Sequence, residues 1–273
     1  VLGLSWLYDA ILTIYAFSVM VYFSDFLQRN RKANRFAFGL LSAVWTLMTF
    51  FFLGRAWENQ YLPLVTLFDM LFFFSWMLVG LSLLLNWFYR VDLFVFFANV
   101  VGFAFLAFSL FAPQETTPEG LEHLRSNLLW LHIAMTFFSY VAFFLSAIFS
   151  AMYLWHDRML KRKDWHPRLW RFPSLEQLDR FAFRFVAAGV PLLLLGLILG
   201  VIWAYWKIAG NFWLDPKVVA SVVVLGMYVS YLYRRIRPQW SAKRLAEWNL
   251  IAFVAVLANL LVSASFSSFH LWL

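Results

Sequence analysis

Residues Leu131–Leu154 read LHIAMTFFSYVAFFLSAIFSAMYL, 24 positions without a Lys, Arg, Asp or Glu. A run of about 20 apolar residues is long enough to cross the hydrocarbon of a bilayer as a helix. Lipid offers backbone N–H and C=O groups no alternative partner, so a stretch that enters it must satisfy them internally. The run belongs to a longer apolar segment over 127–155, and seven others recur along the chain, over 4–24, 36–54, 62–86, 93–112, 181–205, 217–233 and 248–269. The expected fold is an all-α integral membrane protein, a bundle of about eight transmembrane helices joined by loops. It forms a single polytopic membrane domain over residues 1–273.

Composition agrees. Of 273 residues 63% are hydrophobic and 13% charged, against about 45–50% apolar and 25% charged in soluble domains. Mean hydropathy is +0.73, an excess that one water-soluble core cannot hide. The 33 Phe and 15 Trp suit contact with lipid or with a flat hydrophobic ligand. Cysteine is absent, which excludes a disulfide framework, a thiolate metal site, a CxxC redox pair and covalent attachment of a prosthetic group through CxxCH. No leader of basic, apolar and small residues precedes the first span, so no cleavage is expected.

Basic residues set the expected orientation. The loops after spans one, three, five and seven hold 17 Lys and Arg, whereas the opposite loops hold Arg55, Arg125, Lys207 and Lys217. Cytoplasmic loops carry the excess of positive charge, so both termini are expected on the outer side. The net charge of +8 is divided among four loops, which argues against nucleic-acid binding. His156–Arg180 is the largest inner loop and reads as a basic interfacial segment facing anionic lipid, with docking of a cytoplasmic partner as the sharper alternative. Pro113–Asn127 reads as an acidic outer connector. Span six, with Pro191 among Gly189, Gly196 and Gly200, predicts a kinked, closely packed helix.

Charges at membrane depth are costly and therefore informative. Asp9 lies near the outer end of span one and Arg55 at the outer end of span two. Asp69 lies about 10 Å into span three at 1.5 Å per residue, within reach of a descending Arg55 side chain. A structural ion pair is the expected outcome, with a proton relay as the alternative.

Of the five histidines, His123, His156 and His166 fall in loops and read as solvated. His132 lies just inside the outer end of span five, and His270 at the outer end of span eight. Two neutral imidazoles on different helices at one depth can bind a metal from opposite sides. Without thiolates and with few nearby carboxylates, zinc or a di-iron centre is poorly supported. A bis-histidine heme fits better, because it needs one ring nitrogen from each side and apolar aromatic walls. Two unrelated interfacial histidines remain the alternative. Between spans six and seven, on the same side, lies Ala209–Ser221, AGNFWLDPKVVAS. By itself this segment reads as an aromatic-belt connector, with Asp215 as a cap and Pro216 opening the next helix. Its sharper reading is a ligand surface, with Phe212 and Trp213 covering a flat ring and Lys217 pairing with carboxylates.

The segment resembles the tryptophan-rich WWD segment, approximately WGxxWxWDPKE, of the cytochrome c assembly proteins CcmC, CcmF and CcsA and their relative HemX. In that family the segment is flanked by two heme-ligating histidines. Here Gly210–Lys217 takes its place, with His132 before it and His270 after it, and Leu131–Leu154 is similar to the first histidine helix. The resemblance covers about residues 128–273, the heme-handling half. Aligned on Asp215, the two motif tryptophan positions hold Phe212 and Leu214, and Val218 replaces the usual Glu.

The resemblance, strongest to the HemX subgroup, implies one heme b at the outer face of a multi-pass protein of a bacterial plasma membrane. His132 and His270 would be its axial iron ligands. Phe212, Trp213, Asp215, Lys217 and Arg125 would complete the cofactor site, with Lys217 or Arg125 neutralising propionates. It further implies a regulatory, non-enzymatic role in heme biosynthesis through glutamyl-tRNA reductase. Heme delivery in cytochrome c maturation, with its partner proteins, is the alternative, and a heme-free transporter or structural membrane protein a further one.

Overall fold

A computed structural model of the chain describes residues 5–28, 30–59, 63, 66–89, 91–113, 127–163, 172–207, 213, 215–237 and 240–266. Among these residues the fold is all helical, with eight helices and no strand. Seven of them are long and apolar enough to cross a membrane. The residues group into two compact units, 1–116 and 117–273.

In the first unit α1 is Ser5–Gln28, α2 Arg31–Asn59, α3 Leu67–Tyr89 and α4 Asp92–Ser109. The helices begin where polar side chains satisfy orphan N–H groups. The Asn30 side chain accepts from the Lys32 and Ala33 amides at 3.0 and 3.2 Å. Thr66 and Asp69 form a capping box, with the Asp69 amide donating to Thr66 Oγ1 at 3.1 Å and the Thr66 amide to Asp69 Oδ2 at 3.3 Å. Such caps carry helix into charged sequence, which is why α2 starts at Arg31 rather than at the first apolar residue near 36.

The interior of this unit is built on one face of α1. Tyr8, Tyr15 and Tyr22, seven residues apart, are all buried, the spacing that keeps a helix face turned toward its neighbours. The Tyr8 and Ser109 hydroxyls both donate to the Leu106 carbonyl, at 2.6 and 2.8 Å. Tyr15 donates to Asn99 Oδ1 at 2.9 Å, and Asn99 in turn donates to Ser82 Oγ at 2.8 Å. Arg55 reaches Asp69 at 3.1 Å with its guanidinium 4.8 Å over the Phe68 ring. The spacing of these two residues predicted the ion pair, and it forms.

In the second unit α5 is Asn127–Lys161, α6 Leu175–Lys207, α7 Pro216–Ile236 and α8 Ala242–Phe266. Ser174 and Gln177 cap α6 reciprocally, each bond 3.2 Å, so α6 too starts ahead of its apolar run. Pro191 lies inside α6. The expected close packing appears between α5 and α6. A Cβ built on Gly189, Gly196 or Gly200 would stand 2.6, 2.7 and 2.6 Å from Phe143, Thr136 and His132 respectively. Small residues of this kind let helix backbones approach in lipid.

Two asparagines of α8 fix it against α5. Asn249 donates to Ser146 and Ser150 at 2.6 and 2.8 Å. Asn259 donates to Tyr140 at 2.8 Å and to Ser221 of α7 at 3.1 Å. As the α8 number rises its α5 partner number falls, so the two helices are antiparallel; the glycine contacts show the same for α5 and α6. At the opposite end of the unit, Arg235 makes a two-pronged pair with Asp179 at 2.9 and 2.6 Å. There Arg234 lies 3.9 Å from the Trp240 ring and 5.0 Å from that of Trp248.

His156 departs from expectation. It is not a solvated loop residue but part of α5, 8% exposed, with its ring 5.2 Å from Phe172. The helix simply continues past the apolar run, and the chain returning at Phe172 covers the ring. His123 and His166 lie outside the described residues.

Candidate functional site

His132 stands one to two turns into α5 and turns toward α6. Its Nδ1 is 2.6 Å from the Gly196 carbonyl oxygen. A carbonyl only accepts, so in the neutral ring Nδ1 carries the proton and Nε2 keeps its lone pair. The contact exists because α6 has no side chain at Gly200, where the ring lies against the helix, nor one turn earlier at Gly196, where Thr136 of α5 packs. One strand of sequence logic could have found it. GLILG over 196–200 is a GxxxG pattern, which marks a close helix approach; which residue fills the approach is not written in the pattern.

The start of α7 is built by Asp215 and Pro216. Asp215 is extended, buried and accepts from the Lys217 amide at 2.9 Å, with Pro216 at the first helical position. This is the arrangement in which proline's missing N–H costs nothing and an aspartate satisfies an orphan donor. Cap and proline together fix where Lys217 leaves the helix. The Lys217 ammonium lies within electrostatic range of both the His132 ring and the Asp215 carboxylate. Trp213, ahead of the cap, is 59% exposed.

Of the seven residues expected at the site, the structure thus brings His132, Asp215 and Lys217 to one end of the second unit, with Trp213 in the adjoining segment. His270, Phe212 and Arg125 lie outside the described residues. α8 runs from Asn249, opposite Ser146 and Ser150, to Asn259, opposite Tyr140, and so heads toward the end at which His132 stands. Among the described residues no three His, Asp or Glu side chains converge on a metal-sized site. One ring nitrogen of His132 keeps its lone pair.

Comparison with known proteins extends the resemblance along the chain. The family model for "Cytochrome C assembly protein" matches residues 64–270, taking in α3 and α4 as well as the second unit. The chain is 47% identical over 267 residues to Protein HemX of Brevibacillus brevis, covering 98% of each chain. It is 43% identical to Protein HemX of Bacillus subtilis (strain 168), covering 96% of this chain and 95% of the other. Cytochrome c biogenesis protein CcsA of Guillardia theta is 28% identical over 82% of this chain and 81% of its own. Among the described residues eight helices, seven of them apolar enough to span a bilayer, together with this match place the chain among multi-pass membrane proteins: it belongs to the cytochrome c assembly protein family.

Proposed function

We propose that the protein binds one heme b non-covalently at the α5 N-terminal end of the second unit, with His132 and His270 as axial ligands, and that this end faces outward. The observation that carries the reading is the retention of His132 Nδ1 by the Gly196 carbonyl. Histidines that ligate metals characteristically donate their other ring N–H to a carbonyl or carboxylate, which orients the ring. Lys217, in range of that ring, supplies positive charge beside it. Bound heme would contribute an iron centre and a pair of carboxylates. His132 then serves as a ligand, Lys217 and Arg125 offset carboxylate charge, and Phe212 and Trp213 exclude water from a flat apolar face. Asp215 acts through its cap, which sets the exit of Lys217.

The role that follows is holding or sensing heme, with regulation of heme biosynthesis at the level of glutamyl-tRNA reductase as the output. The worn loop supports this over handing heme on. Leu214 stands where the WWD pattern has a tryptophan, and a weaker aromatic platform suits retention at the histidines rather than presentation at the surface. No residue set is assigned a bond-making step. A second reading, heme delivery in cytochrome c maturation, has support of its own in the match to proteins named for cytochrome c biogenesis.

A visible spectrum of the detergent-purified protein, oxidised and reduced, tests the binding. Wild type supplied with heme is expected to show a Soret band and a low-spin reduced spectrum, both lost in His132→Ala and His270→Ala. Wild type with no Soret band after heme supply would overturn the proposal. Gene deletion separates the two roles: altered reductase abundance with intact cytochromes supports regulation, and loss of holocytochrome c supports delivery.

A further inference from the structure

Two residues without side chains hold His132. The Gly196 carbonyl takes its Nδ1 at 2.6 Å, and a Cβ on Gly200 would stand 2.6 Å from Nδ1 and 2.7 Å from Cε1. Both glycines lie on the face of α6 that meets α5. We propose that Gly196 and Gly200 are positioning residues that fix the tautomer and the seat of the His132 ring, so that Nε2 is the nitrogen offered to a metal. The proposal rests on the reading that His132 ligates heme iron.

The tautomer follows from what each atom can do. With the proton on Nε2, the Nδ1 lone pair and the carbonyl oxygen would face each other at hydrogen-bond distance with nothing between them. Inside an apolar helix pair no water can relieve that opposition. With the proton on Nδ1 the bond forms and the opposite nitrogen carries the lone pair. The Gly196 carbonyl belongs to a continuous helix, so it cannot swing to follow the ring; the ring's tilt is set by α6.

Gly200 performs the second task by absence. The ring atoms of His132 are the three nearest neighbours of a Cβ at this position. Any side chain there meets the imidazole before it meets anything else, and the ring must leave the carbonyl to admit it. Gly196 is a less clean probe, because a Cβ there meets Thr136, including its backbone nitrogen at 3.2 Å, and would part the helices. Gly226 of α7, with nothing within 4 Å, gives the matched control for adding a methyl group to a helical glycine.

Nitrogen-15 NMR of the full-length protein in detergent, with labelled histidine and His132→Ala to identify the signal, reads the tautomer directly and without heme. Nδ1 of His132 is expected protonated and Nε2 unprotonated; the reverse tautomer, or rapid exchange between the two, would overturn the proposal. Heme titration then compares wild type, Gly200→Ala and Gly226→Ala. The Gly200 variant is expected to bind about tenfold or more weakly, the range seen when an outer-shell partner is lost, and to show a high-spin component, while the Gly226 variant matches wild type. Unchanged affinity and spin state in Gly200→Ala also overturns the proposal, and if that variant does not fold the tautomer measurement decides alone. Should wild type show the expected tautomer yet take up no heme, heme ligation by His132 falls while the positioning of the ring stands.

Discussion

Both units bury polar side chains in an apolar interior, and they do so for different ends. The first pairs several of its polar groups with one another: the Tyr8 and Tyr15 hydroxyls with a carbonyl and an asparagine, Arg55 with Asp69. The second contains all five histidines of the chain, and at its α5 N-terminal end an imidazole is held by one nitrogen only. A buried polar group whose bonding is spent within the protein reads as architecture. A ring nitrogen left with its lone pair, in electrostatic range of a cation, reads as a place for something else to bind. The family match begins at residue 64, inside the first unit, and so takes in Asp69, Ser82 and Asn99 but not Tyr8, Tyr15 or Arg55.

Substitutions can break this contrast or sharpen it. The largest effect on stability is expected from Asp69→Ala, which strands Arg55 and removes half of the α3 capping box. Removing one partner of a buried pair costs about 3–5 kcal/mol, read as a fall in thermal unfolding temperature in detergent. Heme bound per folded molecule should stay at the wild-type level; a loss equal to that of His132→Ala would erase the distinction between the units. Asn259→Leu is expected to cost about 1–2 kcal/mol, the range for interhelical hydrogen bonds in lipid, with loss of the Tyr140 and Ser221 contacts. Asp215→Ala should cost about 1 kcal/mol as a lost cap and also weaken heme binding, since Lys217 loses its fixed exit; a stability loss with unchanged heme affinity would confine Asp215 to capping. At the small end, Gly226→Ala is expected to raise stability by up to about 1 kcal/mol, the difference in helix propensity, and to leave the visible spectrum unchanged.

Much of this was legible in the residues. Apolar length alone located every helix, because lipid leaves the backbone no other choice. The Arg55–Asp69 pair followed from depth and reach, and the Asp215–Pro216 cap from local chemistry. What stayed hidden depended on contacts distant in sequence. His132 and Gly196 are 64 positions apart, and neither residue type specifies the other. The burial of His156 depended on where Phe172 returns, across a segment whose composition reads as a basic interfacial loop. Helix starts at Arg31, Leu175 and Ala242 ran ahead of the apolar runs because Asn30, the Ser174–Gln177 box and Ser241 cap them in polar sequence.

The two asparagines of α8 imply an order of assembly. Asn249 and Asn259 lower the affinity of α8 for hydrocarbon. Their partners, Ser146, Ser150, Tyr140 and Ser221, lie on α5 and α7, which precede it in synthesis. A solitary α8 would enter the membrane with two amides unsatisfied, whereas one arriving beside α5 and α7 finds their acceptors waiting. The two amides thus favour integration of α8 beside helices that are already in place.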